Sequence, residues 1–249
     1  MSLPFELDML AEARNYQKWM FDAVQPYLGR RILEVGSGIG NMSRWLPADE
    51  LLVLTETEPE LLDLLRARAA DYFGANVQNV HIDGLDLSPH TITAASIEEY
   101  CLDTIISFNV LEHIEDDRAA IGRMVDVLRE SPAPVRRLVS FVPAQAWALS
   151  DLDRHYGHFR RYSRSRISEL SRDLAPDAAL TITPFNALGL VGWVWSTIIL
   201  KKTTIDKRSA MAYNAICRHT RGPDDFLCQR LRYPLGQSFV WVLEFNRSR

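Results

Sequence analysis

Residues 31–40 read RILEVGSGIG, a short apolar run that leads straight into a glycine turn. Arg31 to Val35 suits a buried strand, ended by residues that cannot continue it. Glycine lacks a Cβ and takes φ > 0 freely, so the backbone at Gly36, Gly38 and Gly40 can approach a ligand closely. A helix start beyond such a turn offers unpaired N–H groups to a polar ligand. The spacing is GxGxG with no glycine at the next position, so the GxGxxG dinucleotide fingerprint is not met.

Working outward, Leu51 to Thr55 is the next strand, and Glu56 stands at its end, 20 residues past Gly36. A carboxylate there can accept both hydroxyls of a ribose. Glu58 and Glu60 also allow a solvated acidic turn. Helix Glu58 to Ala70, strand Val77 to Ile82, a polar helix over 91–100 and strand Asp103 to Phe108 follow. Helix Asp116 to Leu128 and strand Leu138 to Val142 complete the series, which Pro143 stops. Strands alternating with helices at this spacing predict a doubly wound, mostly parallel α/β sheet. Upstream, residues 6–28 carry a helical period closed by Pro26 and Gly29. Asn41 to Leu46 can begin a helix, which Pro47 ends. After Pro143 the rhythm breaks. An aromatic and basic loop or lid spans 144–166, then helix 166–174, a strand near 179–184, apolar helix 188–200, a polar segment to about 222, and strand Ser238 to Phe245.

Composition narrows the class. At 249 residues the chain can hold one α/β domain with insertions, and 47% hydrophobic with 24% charged residues is ordinary for a globular protein. A net charge of -4 gives no general reason to expect nucleic acid as a partner. Cys101, Cys217 and Cys228 are scattered, with no CxxC pair, so reduced thiols are expected rather than disulfides or a thiolate zinc site. The acidic N-terminus does not read as a signal peptide. Leu188 to Leu200 is too short for a span of roughly 20 residues. A cytoplasmic protein without a transmembrane segment is expected.

ILEVGSGIGNMSRWL (32–46) resembles the first motif of class I S-adenosylmethionine-dependent methyltransferases. SFNVLEHIEDD (107–117) is similar to their fourth-strand motif. The resemblance implies a Rossmann-like seven-stranded sheet with its last strand antiparallel, and S-adenosyl-L-methionine as cofactor. It divides a single domain into a helical cap (1–29), a cofactor core (30–143), a lid and substrate region with the sixth strand (144–222), and a C-terminal strand (223–249). Gly36, Ser37, Gly38 and Gly40 would shape the pocket for the methionine part, and Glu34 would orient the turn. Glu56 would hold the ribose. Asp86 would take the adenine amino group beside Leu87, with Asp83 as competitor because IDGLDLS fits two registers. Asn109 would face the sulfonium.

DRHYGHFRRY (153–162) is the most unusual local cluster, with two histidines, three arginines and three aromatic side chains in ten residues. Loops carry binding chemistry on rigid α/β sheets. GHFRRYS (157–163) is similar to a GHxRRYS segment in a bacterial branch of the same superfamily, met near sugar- and natural-product-modifying enzymes. That likeness implies a small-molecule acceptor, methylated on oxygen or nitrogen, with Tyr16, Trp19, Arg160, Arg161 and Tyr162 around it. Arg160 and Arg161 could bind an acidic group, one pointing inward and one outward. His113 and His158 are the candidates for a general base, where the acceptor needs one. His113, His155 and His158 have no acidic partner at a firm ligand spacing, so no metal is expected. The stripe from Leu188 to Ile199 reads as core, with an apolar pocket wall or a membrane-facing surface as alternatives. Two other functions fit the same sheet: a nicotinamide-dependent oxidoreductase, against which the missing third glycine and the lack of a Tyr-x-x-x-Lys pair count, and a protein that binds the cofactor without methyl transfer.

Overall fold

Arg31–Val35 forms β1, the strand around which the sheet is built. In a computed structural model that describes residues 7, 11–84, 99–204, 207–230 and 233–246, it lies between β2 (Leu51–Thr55) and β4 (Thr104–Phe108), parallel to both. Successive side chains of a strand point to opposite faces, and here both faces are covered. Leu33, Leu51, Val53 and Ile105 pack on one side with Ile121, Met124 and Leu128 of α3 (Asp117–Glu130). Ile32, Leu52, Leu54 and Ile106 pack on the other with Met20 and Val24 of α1 (Arg14–Val24). Near-continuous apolar runs in the sequence are the signature of this double burial.

The seven strands stand in the order β3-β2-β1-β4-β5-β7-β6, with β3 at Val80–Asp83, β5 at Val135–Pro143, β6 at Ala179–Phe185 and β7 at Ser238–Asn246. Six run parallel; β7 is antiparallel to both β5 and β6. The doubly wound Rossmann-like sheet with its antiparallel last strand is therefore the fold.

Several elements differ from their sequence expectation for local reasons. The glycine turn leads only into a single 3-10 turn, Ser43–Trp45, because Pro47 leaves no room for more. Residues 74–79 wind as 3-10, so β3 begins at Val80. The polar segment before 222 is a 19-residue helix, α7 (Lys207–Asp225), joined to α1 through Asn214, whose Oδ1 accepts from the backbone N–H groups of Asn15 and Tyr16. Most of its side chains stay outside the core, so it has no apolar stripe to reveal it. The expected helix over 91–100 lies, except for its last two residues, outside the described residues. The stripe expected in the core is mostly at the surface. α6 (Ala187–Trp193) and the π-helical turns over 194–199 leave Val191, Trp195 and Ile199 more than half exposed. With Trp147 they wall an apolar hollow of about 430 Å³. Among the described residues, no helix is long and apolar enough to cross a membrane.

Candidate active site

At the carboxyl end of β1, Gly36, Gly38 and Gly40 adopt φ of +68°, +56° and +81°, a region that side chains with a Cβ rarely enter. The space is closed as well. A Cβ at Gly36 would stand 2.7 Å from Val110 in the segment after β4, and one at Gly40 would stand 2.7 Å from Tyr72 of α2 (Pro59–Phe73). The turn thus sits where strand order reverses, between the ends of β1 and β4, the place where open α/β sheets bind ligands.

Glu56 bridges this turn and the end of β2. Its Oε2 accepts the Gly38 N–H at 2.8 Å, and its Oε1 accepts those of Thr57 (2.8 Å) and Glu58 (3.0 Å). Beneath the turn, the buried carboxyl of Glu34 accepts the Ser43 hydroxyl. Burial pushes its pKa up to about 7, against the lowering effect of the Ser43 and Ser37 hydroxyls. Ser37 is buried too, with its N–H on the Thr55 carbonyl. Leu7 lies over the turn: its carbonyl accepts from Asn41 Nδ2 at 2.7 Å, and a Cβ at Gly38 would meet its side chain at 3.3 Å. Asn109, at the tip of β4, holds φ of +51° and donates its N–H to the Phe141 carbonyl. Asn tolerates this region better than most residues. Asp83 ends β3 beside Thr55. Asp86 and Leu87 lie outside the described residues.

The second half of the site joins the segment after β4 to the loop after β5. The rings of His113 and His158 meet edge to face, 4.6 Å apart. Protein packed around the His113 ring, and then the neighbouring His158, push its pKa down to about 4 although the residue keeps accessible surface. His158 Nδ1 lies 3.1 Å from Asp153 Oδ1. Asp153 is the centre of a closed network. It caps the short helix α4 (Asp151–His155) reciprocally with Ser150, and its carboxylate takes a forked pair of bonds from Arg161 Nε and Nη2 at 2.8–3.0 Å. Hydrogen bonds from His158, Arg161 and the Ser150 backbone hold its pKa at about 2 in spite of burial. Glu112, fully buried, brings a carboxylate oxygen to the two imidazoles. One ligand atom from each of Glu112, His113 and His158 lies within 4.8 Å of the other two.

The other residues expected around an acceptor are placed differently. Arg161 does point inward, but its guanidinium is bound to Asp153 and stacks on Trp193 at 4.2 Å. Arg160 donates to the carbonyls of Ile114 and Glu115 and pairs with Asp117. Tyr162 is fully buried and donates its hydroxyl to Asp117. Trp19 is buried against Phe185, its Nε1 on Asp225. The polar groups of these four are engaged within the protein, so they build the lid and core rather than a cavity wall. Tyr16, by contrast, lines a cavity. It has about 480 Å³, is bounded by α1, α6 and α7, and includes Trp193, Tyr213, Asn214 and Gln237. Asp117, Asp153 and Glu112 were not singled out from the sequence. Ser150-Asp-Leu-Asp153 carried a readable signal, since Ser followed three residues later by an acid is a capping box.

Comparison with known proteins agrees with this architecture. Residues 33–131 match the family model described as a methyltransferase domain. No curated protein sequence matches the chain. Among solved structures, the small RNA methyltransferase HEN1 aligns with TM-score 0.57 at 12% identity, over 95% of this chain and 25% of that one. The plantazolicin methyltransferase BpumL, in complex with S-adenosylhomocysteine (SAH), aligns with TM-score 0.53 at 12% identity, over 96% and 84% of the two chains. Magnesium protoporphyrin IX methyltransferase from Synechocystis PCC 6803, also with bound SAH, gives 0.52 at 14% identity, over 100% and 90%. At such identities a structural likeness speaks for the fold. Residues 33–131 thus carry the likeness to a methyltransferase domain, on a sheet of the fold shared with the aligned methyltransferase structures.

Proposed function

We propose that the chain transfers a methyl group from S-adenosylmethionine to an oxygen or nitrogen of a small-molecule acceptor. The observation that carries the cofactor assignment is the hydrogen bond of 2.8 Å from Gly38 N–H to Glu56, across a turn of three left-handed glycines. A ribose can take over the carboxylate that now holds backbone N–H groups, because the exchange replaces one set of hydrogen bonds by another. Gly36, Ser37, Gly38 and Gly40 would receive the methionine part, with Glu34 beneath it and Asn109 facing the reacting end. Asp86 or Asp83 would meet the adenine, with Leu87 beside it.

The bound cofactor supplies a methyl group already made electrophilic by a sulfonium. The protein's part is then to align the acceptor, hold it close and keep water out. His113, in the segment that follows Asn109, and His158, in the loop after β5, stand on the acceptor side. A small molecule is favoured over a nucleic acid by the net charge of -4 and by a cavity of about 480 Å³, within the roughly 300–1,000 Å³ typical of small-ligand sites.

Labelled methyl transfer into a fractionated cell extract tests the reading. Label in a low-mass fraction, on oxygen or nitrogen, is the expected result. Label confined to RNA or protein would overturn the acceptor class. Tight SAH binding with no label in any fraction would favour a protein that binds the cofactor without transfer.

A further inference from the structure

The histidine pair between the two loops is part of a three-residue ligand set. We infer that Glu112, His113 and His158 bind one divalent first-row transition cation on the acceptor side of the methyl-transfer site. Two imidazoles and one carboxylate, with further positions left open, form the donor set that such ions accept while still binding an exogenous oxygen. Their ligand atoms lie within 4.8 Å of one another before any ion is bound. Two ligands at about 2.1 Å from a common ion stand roughly 3.4 Å apart in a tetrahedral site, so the cluster closes on an ion by up to about 1.4 Å, within the reach of side-chain rotation.

The surroundings are those of a metal ligand rather than of a solvated histidine. A ligating imidazole is normally oriented through its other nitrogen by a carboxylate. His158 has that arrangement: Nδ1 faces Asp153 at 3.1 Å, which leaves Nε2 for the ion. Asp153 is itself fixed by Arg161 and Ser150, so the orientation is built in layers. The Glu112 carbonyl accepts the N–H of Phe159, which ties the residue after His158 to the Glu112–His113 pair at 2.8 Å. Gly157, at φ +79°, keeps the loop close; a Cβ there would stand 3.7 Å from His113 Nδ1. The accessible surface of His113 gives the ion open positions, suited to oxygen atoms of a hydroxylated acceptor. That last role rests on the methyltransferase reading; the cation site does not.

The test is titration of the intact chelator-treated protein with Co²⁺, followed by visible absorption, with SAH calorimetry on the same samples. One equivalent of Co²⁺ is expected to give a ligand-field spectrum. His113→Ala and His158→Ala are each expected to weaken Co²⁺ binding at least ~100-fold, with SAH affinity retained as proof of folding. His155→Ala, an exposed residue outside the cluster, should leave the titration unchanged. Absence of stoichiometric Co²⁺ binding, or binding that survives both His113→Ala and His158→Ala, would overturn the inference. SAH binding without Co²⁺ would remove the cation alone; Co²⁺ binding without SAH would instead remove the cofactor reading.

Discussion

Two loops at the carboxyl ends of the strands, both rich in polar groups, do opposite things with them. At the glycine turn, Glu56 is held by backbone N–H groups and Glu34 by the Ser43 hydroxyl. Around the loop after β5, Asp153 is met by Arg161, and Asp117 at the start of α3 by Arg160 and Arg166. In the function proposed above, the first arrangement is the one that a ligand's hydroxyls or ammonium would recruit. The second is a closed set of ion pairs, in which charge serves cohesion. A run of arginines in a sequence therefore says little about binding until the acids that face it are known.

The sharpest way to break this contrast is to remove Asp153. Asp153→Ala leaves the Arg161 guanidinium buried without its partner, which should cost about 3–5 kcal/mol of stability in urea unfolding. Adding Arg161→Met should recover much of that loss. A single variant as stable as the parent would mean that the network is not closed.

Glu34 tests the turn through pH. Its folded pKa near 7 lies above the ordinary value of 4.5, so the folded state keeps a proton that the unfolded chain releases. The corresponding stability is present in full below about pH 4.5 and is lost as pH rises to about 7, on the order of 3 kcal/mol. Glu34→Gln should flatten that slope in unfolding experiments across this window. An unaltered slope would assign the pH dependence elsewhere.

Glu56→Ala should raise the SAH Kd about 100-fold, close to 2.7 kcal/mol, because two hydrogen bonds to a charged group are lost. Unchanged affinity in calorimetry would take it out of the ribose site. The smallest effect is expected for Arg166→Ala. That side chain is 41% exposed on its ion pair with Asp117, and the change should cost below about 1 kcal/mol.

The legibility of the sequence follows the same division. Strands buried on both faces write continuous apolar runs, and left-handed turns write glycine, so β1, β2, β4 and the GxGxG turn could be read directly. The place of Glu56 at the end of β2 was readable because β2 is itself a continuous apolar run. The lid was not, since its arrangement depends on pairs far apart in the chain: Tyr162 with Asp117, Arg160 with Ile114 and Glu115, Trp193 with Arg161. Helix α7 lacked an apolar stripe, and Glu112 was hidden by its neighbour His113. The exposed face of Val191, Trp195 and Ile199 has the helical period of a core element, and period alone does not say which way an apolar face turns.

Calorimetry of the intact chain against SAH and, separately, NADH addresses the central claim most directly. One-to-one binding of SAH and no binding of NADH are expected. Binding of NADH alone would contradict the claim.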